Sequence, residues 1–189
     1  MHSVLLVSSA GKTGSALGEF LRSCSYGRLT SVCSGGEARR LLPCSDFELI
    51  VINTPLPDEF GQELAMTAAE STASGVLLLV KSELADPLSE KVESCGVFVV
   101  PKPVSRQLFF QAVRLAAASR SRILGLQNRN LQLQEKIEEI RLVDRAKCAL
   151  IQYLDMTEPQ AHRYLEKQAM DMRCTRREIA EAVLRTYES

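Results

Sequence analysis

Between Ser105 and Leu154 the chain has no proline and no cluster of turn-forming residues. Gly125 is the one helix breaker in that stretch, and a single internal glycine costs about 1 kcal/mol against alanine. A stretch this long without punctuation predicts one long helix, ending at the turn Asp155-Met156-Thr157. It leaves a front part with its own pattern and a short tail of two further helical segments.

The helix carries a second constraint. Counted by sevens, Ile123, Asn130 and Ile137 share one position, and Leu126, Leu133 and Ile140 share the other. Flanked by Arg129, Gln134, Lys136 and Arg141, this is an a/d seam of nearly three heptads and predicts a parallel homodimer. Asn130 fits that reading, because a buried amide pair selects two strands in register at some cost in stability. The alternative is that the stripe packs against another part of its own chain.

In the front part, short apolar runs alternate with amphipathic stretches. Ser3–Val7, Leu29–Val32, Phe47–Ile52, Val76–Val80 and Val97–Val100 read as strands. Thr13–Cys24, Glu37–Leu42, Gln62–Glu70 and Pro87–Glu93 read as helices between them, with another starting near Ser105. That alternation predicts a five-stranded parallel sheet covered on both faces, a flavodoxin-like α/β fold. Ligand chemistry in such sheets sits beyond the carboxyl ends of the strands. Gly11-Lys12-Thr13 lies at one of those ends and suggests a phosphate loop. The required glycine five residues before Gly11 is Leu6, so a turn and helix start is the plainer reading.

Phe47 to Gly61, with Asn53-Thr54-Pro55-Leu56-Pro57, resembles the third strand and following loop of a response-regulator receiver domain. Val97 to Pro103, ending Pro101-Lys102-Pro103, resembles its fifth strand. The resemblance covers roughly Met1 to Ala118. Receivers hold a phosphoryl group and a magnesium ion with an acidic pair after strand one, an acceptor Asp after strand three and a hydroxyl after strand four. Here Ser8 and Ser9 stand at the acidic pair, Asn53 at the acceptor and Val80 at the hydroxyl, with Ser82 close by; Lys102 alone remains. An amide cannot replace a carboxylate nucleophile, and magnesium loses its hard oxygen ligands. The resemblance with these departures implies a pseudo-receiver that is not switched by aspartyl phosphate. Asp58 is read as a solvated loop residue, with a substitute acceptor as the alternative. Lys102 is read as a cation that pairs with Asn53 or faces solvent.

The tail is helical and only slightly basic, because Glu158, Glu166, Asp171, Glu178 and Glu181 are interspersed among its cations, and a solvated, charge-balanced face is the alternative to a binding surface. Leu142, Ala146, Ala149 and Leu150 continue an apolar face to Leu154. Thr157-x-x-Gln160 and Thr175-x-x-Glu178 are capping boxes that open the two following helices. Their apolar faces, Ala161, Tyr164, Leu165, Gln168 and Ala169, then Ile179, Val183 and Leu184, can bury one another in a three-helix bundle. Arg145-Ala146-Lys147 with Leu150, the Thr157 to Ala161 helix start, Gln168-Ala169-Met170 and Ile179-Ala180 resemble the ANTAR domain over about Lys136 to Arg185. Cys148 departs from the glycine common there. The resemblance implies an antiterminator that grips RNA stem-loops of a leader transcript as a dimer. The side chains available for RNA are Arg141, Arg145, Lys147, Arg163, Lys167, Arg173, Arg176 and Arg177. The last three gather at the start of the final helix, whose free N–H groups favour a phosphate. Tyr164 is read as core, with base stacking as the alternative.

Composition limits what else the chain does. Lys and Arg number 23 and so do Asp and Glu, so nucleic-acid affinity has to come from local charge placement. The absence of Trp argues against a stacking platform for single strands. Cys24, Cys33, Cys44, Cys95, Cys148 and Cys174 lack metal-ligand or C-x-x-C spacing and read as free thiols of a cytoplasmic protein. His2 and His162 are isolated, and no catalytic or metal grouping appears, so no enzyme activity, metal or cofactor is expected. No apolar run is long enough for a bilayer. The expected organisation is a pseudo-receiver at 1–118, a coiled-coil helix at 119–140 and an RNA-binding module at 141–189. Its signal would come from a sensor protein or a small molecule on the pseudo-receiver. The alternatives are a protein-interaction module without RNA binding and a regulator phosphorylated at an unorthodox residue.

Overall fold

The computed structural model of the chain describes residues 3–23 and 27–187. His2 and Cys24 lie outside the described residues. The elements run β1 (Ser3–Ser8), α1 (Lys12–Ser23), β2 (Arg28–Val32), α2 (Gly35–Leu41), β3 (Leu49–Asn53), α3 (Gln62–Ser71), β4 (Gly75–Lys81), α4 (Ser82–Val92), β5 (Val97–Lys102), α5 (Arg106–Leu154), α6 (Glu158–Met172) and α7 (Arg176–Tyr187). Contacts divide the chain into two units, 1–125 and 126–189; α5 contributes to both.

In the first unit the strands form one sheet in the order β2-β1-β3-β4-β5, and every neighbouring pair is parallel. This is the flavodoxin-like receiver arrangement. Both faces are covered, which is why β1, β3 and β4 are almost continuous apolar runs rather than alternating ones. Leu5, Val7, Ile50, Ile52, Leu78 and Val80 pack on one side with α3 and α4. Val4, Leu6, Leu49, Val51, Leu77 and Leu79 pack on the other with α1 and the start of α5, around the fully buried Phe109. The strand order reverses between β1 and β3, so a switch-point crevice opens above Ser8 and Asn53, which face each other in register.

Three element starts differ from the sequence expectation by two residues or more. β3 starts at Leu49, because Phe47 is held outside the ladder, its carbonyl accepting from Ser74 Oγ at 2.6 Å. α2 starts at Gly35, because Ser34 caps it, accepting from Glu37 N at 3.2 Å. α4 starts at Ser82 and carries Pro87 inside it. The proline forgoes one backbone bond, and burial of Ala85, Leu88 and Val92 against the sheet outweighs that loss.

In the second unit, Ala146, Ala149 and Leu150 of α5 meet Ala161, Leu165 and Ala169 of α6 and Ile179, Ala180, Val183 and Leu184 of α7 in one core. Asp155 (φ 51°) turns the chain after α5, and Arg173 (φ 53°) terminates α6. The Cys174 N–H closes that end on the Ala169 carbonyl at 3.0 Å. Thr157 N–H donates to Gln160 Oε1 at 2.9 Å, so the expected capping box is formed. Tyr153 and Tyr187 stack with ring centroids 5.3 Å apart. Tyr164 is not part of the core: it lies at the surface. No helix among the described residues is long and apolar enough to cross a membrane.

Candidate nucleic-acid interface and degenerate receiver centre

In a parallel strand successive side chains alternate between faces, and this sorts the expected centre. Ser8 ends β1 and Asn53 ends β3, both buried and on the α1/α5 side. Asn53 Nδ2 donates to Ser8 Oγ at 2.9 Å. Ser8 in turn donates to the Ser9 carbonyl at 3.2 Å. With its hydrogen committed there, the Ser8 oxygen can only accept, which orients the Asn53 amide. Asn53 Oδ1 is then buried without a hydrogen-bond partner, a defect worth about 1–3 kcal/mol. Ser9 is exposed and turned out of the centre.

Val80 is a correction. It packs in the cluster on the opposite side of the sheet, so it does not occupy the hydroxyl position. The β4 residues on Asn53's side are Leu79, its register partner, and Lys81. Counting strand parity from Asn53 would have found Lys81. Ser82 is no substitute, since its hydroxyl donates to the Lys102 carbonyl at 2.5 Å. Lys102 neither pairs with Asn53 nor faces bulk solvent: its ammonium donates to the Thr54 carbonyl. Burial, and secondarily the charge of Lys81, pushes the Lys102 amine below the usual lysine range. Lys102 and Asn53 line one cavity of about 310 Å³ with Thr13, Leu17, Phe20 and Leu79.

These residues do not fit magnesium. A hydroxyl and an amide replace the anionic oxygens such an ion needs. The amide points its N–H₂ where a ligand oxygen would stand. Asp58 does not replace them. Its Oδ1 accepts from Gly35 N and its Oδ2 from Gly36 N, both at 2.9 Å. Those bonds hold its carboxyl below the usual range. It is the clamp of the β3–α3 loop on the N-terminus of α2, beside the ion pair of Arg39 and Glu59.

In the second unit Lys147, Arg176 and Arg177, three of the basic candidates, are engaged by carboxylates. Lys147 is held by Asp144 at 2.8 Å and Glu158 at 3.1 Å, and its side chain is 17% exposed. These carboxylates raise its affinity for its proton. Arg176 reaches Glu166 at 3.7 Å and Arg177 reaches Glu181 at 3.1 Å. At the start of α7, Glu178 Oε2 accepts from Thr175 N at 2.7 Å and from Thr175 Oγ1 at 2.9 Å. Its carboxyl is held low by those bonds, so an anion stands beside the first-turn donors expected to favour a phosphate.

Arg141, Arg145, Arg163, Lys167 and Arg173 are exposed. On α6, Ala161, Leu165 and Ala169 face the core. Arg163 and Lys167, four residues apart, therefore share the outward side, and Tyr164, three before Lys167, lies on its flank. Neither Arg163 nor Lys167 has an ion-pair partner among the described residues. Between α5, α6 and α7 a shallow groove of about 170 Å³ gathers Lys136, Lys147, His162 and Arg176 with Glu139 and Asp144. Lys136 and His162 were not among the sequence candidates, because only the folded bundle brings them beside Lys147. Along the seam, Ile123, Leu126, Leu133, Ile137 and Ile140 are all exposed, as is Asn130.

Residues 131–184 match the family model of the ANTAR domain. The transcriptional regulatory protein PdtaR of Mycobacterium tuberculosis is 28% identical over 170 residues, covering 90% of this chain and 83% of that protein. Among solved structures, the signal receiver domain of an HD domain-containing protein from Pseudomonas fluorescens superposes with a TM-score of 0.57 at 22% identity, covering 66% of this chain and 92% of that one. A response regulator receiver domain protein from Clostridium thermocellum gives a TM-score of 0.57 at 16% identity, over 66% and 99% of the two chains. An adenylate cyclase chain from Rhodopirellula baltica gives 0.58 at 20% identity, over 68% and 96%. At these identities the structural likeness speaks for the fold alone.

Proposed function

Because this chain joins a receiver-like α/β domain to an ANTAR domain, we propose that it is a transcription regulator of the antitermination type. It works in the cytoplasm as an RNA-binding homodimer on stem-loops of a leader transcript, without aspartyl phosphorylation and without enzyme activity.

The observation that carries the RNA-binding reading is the outward side of α6. Arg163 and Lys167 stand there without acidic partners, beside the exposed ring of Tyr164. Uncommitted cations are what phosphate recognition needs, since binding them releases counterions from the nucleic acid. An exposed aromatic on the flank beside Lys167 suits an unstacked loop base, the part of an RNA hairpin that proteins read. Arg141, Arg145 and Arg173 extend the positive surface. Lys147, Arg176 and Arg177 contribute less, because each must first leave a carboxylate. Two such surfaces, joined through the seam of α5, would hold two hairpins at once, and the second contact would gain from the first by effective concentration.

The input side is the receiver-like domain. Asn53 and Ser8, bonded to each other, supply neither nucleophile nor metal ligands, so the signal enters as a bound molecule or a partner protein. A mobility shift with a two-hairpin leader transcript tests the central reading. The expected result is a shift that weakens steeply with salt. Arg163→Ala with Lys167→Ala should reduce affinity tenfold or more, with the salt slope smaller by about two. Affinity no greater than for an unrelated hairpin would instead favour a protein-interaction module.

A further inference from the structure

We infer that the degenerate receiver centre is a binding site for a small organic carboxylate that carries a hydrogen-bond donor beside the carboxyl group and a compact apolar body. The inference rests on reading this domain as the input side, and it adds the place and the chemistry of the signal.

Three independent features of one cavity converge on that class. The cavity of about 310 Å³ opens at the switch point of the sheet, where open α/β folds bind their ligands, and its size is at the lower end for small-molecule sites. Its lining contributes one charged side chain, Lys102, and that charge is positive. Lys81 is the register neighbour of Lys102 on β4 and adds a second positive charge nearby. A centre that holds a cation in receivers has thus become one that favours an anion. Lys102 is half-buried and its charge is unfavourable in the free protein; an anion beside it relieves both burial and the repulsion of Lys81.

The second feature is the amide of Asn53. Its residue is 5% exposed and its Oδ1 has no partner. The Ser8 bond turns Nδ2 toward β1; Oδ1 is closed to water in the free protein, and Asn53 lines the cavity with Leu79 and Lys102, so a ligand reaches the oxygen by displacing the side chains over it. An acceptor held there calls for an O–H or N–H, and a ligand donor completes a bond that the protein leaves unmade. The third feature is the wall. Ala16, Leu17, Phe20, Leu79 and Val104 supply apolar surface on the remaining side, which an inorganic anion would leave in contact with nothing. Displacing Lys102 from the Thr54 carbonyl frees its ammonium for the carboxylate. No covalent step is involved.

Phenyllactate combines the three elements: a carboxylate, an adjacent hydroxyl and one ring. Calorimetric titration of the full chain with phenyllactate, phenylethanol and lactate separates them. Saturable binding of phenyllactate, at least tenfold tighter than either fragment, is expected. Lys102→Met and Asn53→Leu should each weaken it tenfold or more, and Ala16→Phe, which fills the cavity, should abolish it. Melting curves confirm that each variant is folded. No saturable phenyllactate binding, equal binding of phenylethanol, or unchanged binding by folded Lys102→Met overturns the inference. The leader-RNA shift, run without ligand on wild type and Lys102→Met, is expected to be the same for both. Absence of phenyllactate binding by the wild-type chain with an intact shift sinks this inference alone. An absent shift with intact ligand binding sinks the RNA reading alone.

Discussion

Asn53 Nδ2 is bonded to Ser8 Oγ at 2.9 Å across adjacent parallel strands. In a receiver those two places would be anionic and would repel each other without a cation between them. Here the pair is neutral and self-satisfied on that side, so the centre is stable without metal. Its one defect is Asn53 Oδ1, buried without a partner.

The pair leads us to predict that the protein is inert to phosphodonors. Incubation with acetyl phosphate and magnesium should leave its intact mass unchanged. Asn53→Asp alone should also fail to gain a phosphoryl group, because Ser8 and Ser9 still supply no carboxylate for the ion. A phosphoryl gain in the wild-type chain would refute the pseudo-receiver reading, and peptide mapping would then identify the acceptor.

The α/β pattern was legible because parallel strands buried on both faces leave nearly unbroken apolar runs, as Leu49–Asn53 and Gly75–Lys81 do. The long helix was legible from the lack of punctuation, and the bundle from its two capping boxes. Local charge pairing was not. The Lys147 side chain looks as available as Lys167 in sequence, yet Glu158, eleven residues away, closes on it. Glu178 could be read as a capping residue, but not that its carboxylate would stay on Thr175 and put a negative charge beside the helix start. Tyr164 falls on the apolar stripe by counting, yet the bundle core takes Ala161, Leu165 and Ala169 and leaves it at the surface. Val80 was misplaced by a single residue, which in a strand means the opposite face.

Gly75 marks the closest approach between β4 and α5. A Cβ there would stand 2.7 Å from the Ala116 carbonyl oxygen and 2.9 Å from its Cβ. Backbone cannot swing aside as a side chain can, so Gly75→Ala should destabilise the first unit by about 1–3 kcal/mol. Urea unfolding monitored on that unit measures it. A change within experimental error would mean that α5 is free to shift against the sheet.

Asp58 makes stability depend on pH in a defined direction. Its folded carboxyl is held below the ordinary value by Gly35 and Gly36 N–H groups, so the unfolded chain binds more protons between the folded value and about 4. This contribution is fully present above that window and is lost as pH falls through the folded value. Wild type should therefore exceed Asp58→Asn in urea midpoint at neutral pH, and the gap should close on acidification. A gap that is constant with pH would remove the ionic clamp.

Arg173 separates folding from RNA contact. It sits at φ 53° to end α6, a conformation that disfavours a side chain by roughly 1–2 kcal/mol and suits glycine. Arg173→Gly should melt no lower than wild type while reducing the salt slope of RNA binding by about one. Unchanged RNA affinity and slope would show that Arg173 serves only the turn.

The seam carries the dimer prediction. Leu126 is 56% exposed, Leu133 61% and Ile140 53%, so the second unit leaves the stripe largely open on its own surface. Exposed leucines at this spacing bury themselves against a second helix. Sedimentation should give a dimer for the wild type and a monomer for Leu126→Glu with Leu133→Glu. That variant keeps Arg163, Tyr164 and Lys167 intact, so it should still bind a single hairpin while losing the added affinity for two hairpins in one transcript. Asn130→Leu should behave oppositely: it removes a polar seam position, so association should tighten while register and two-strand preference relax. A wild-type monomer at high concentration would leave the stripe without a partner and end the paired-hairpin reading, while single-hairpin binding through α6 would stand or fall on its own cations.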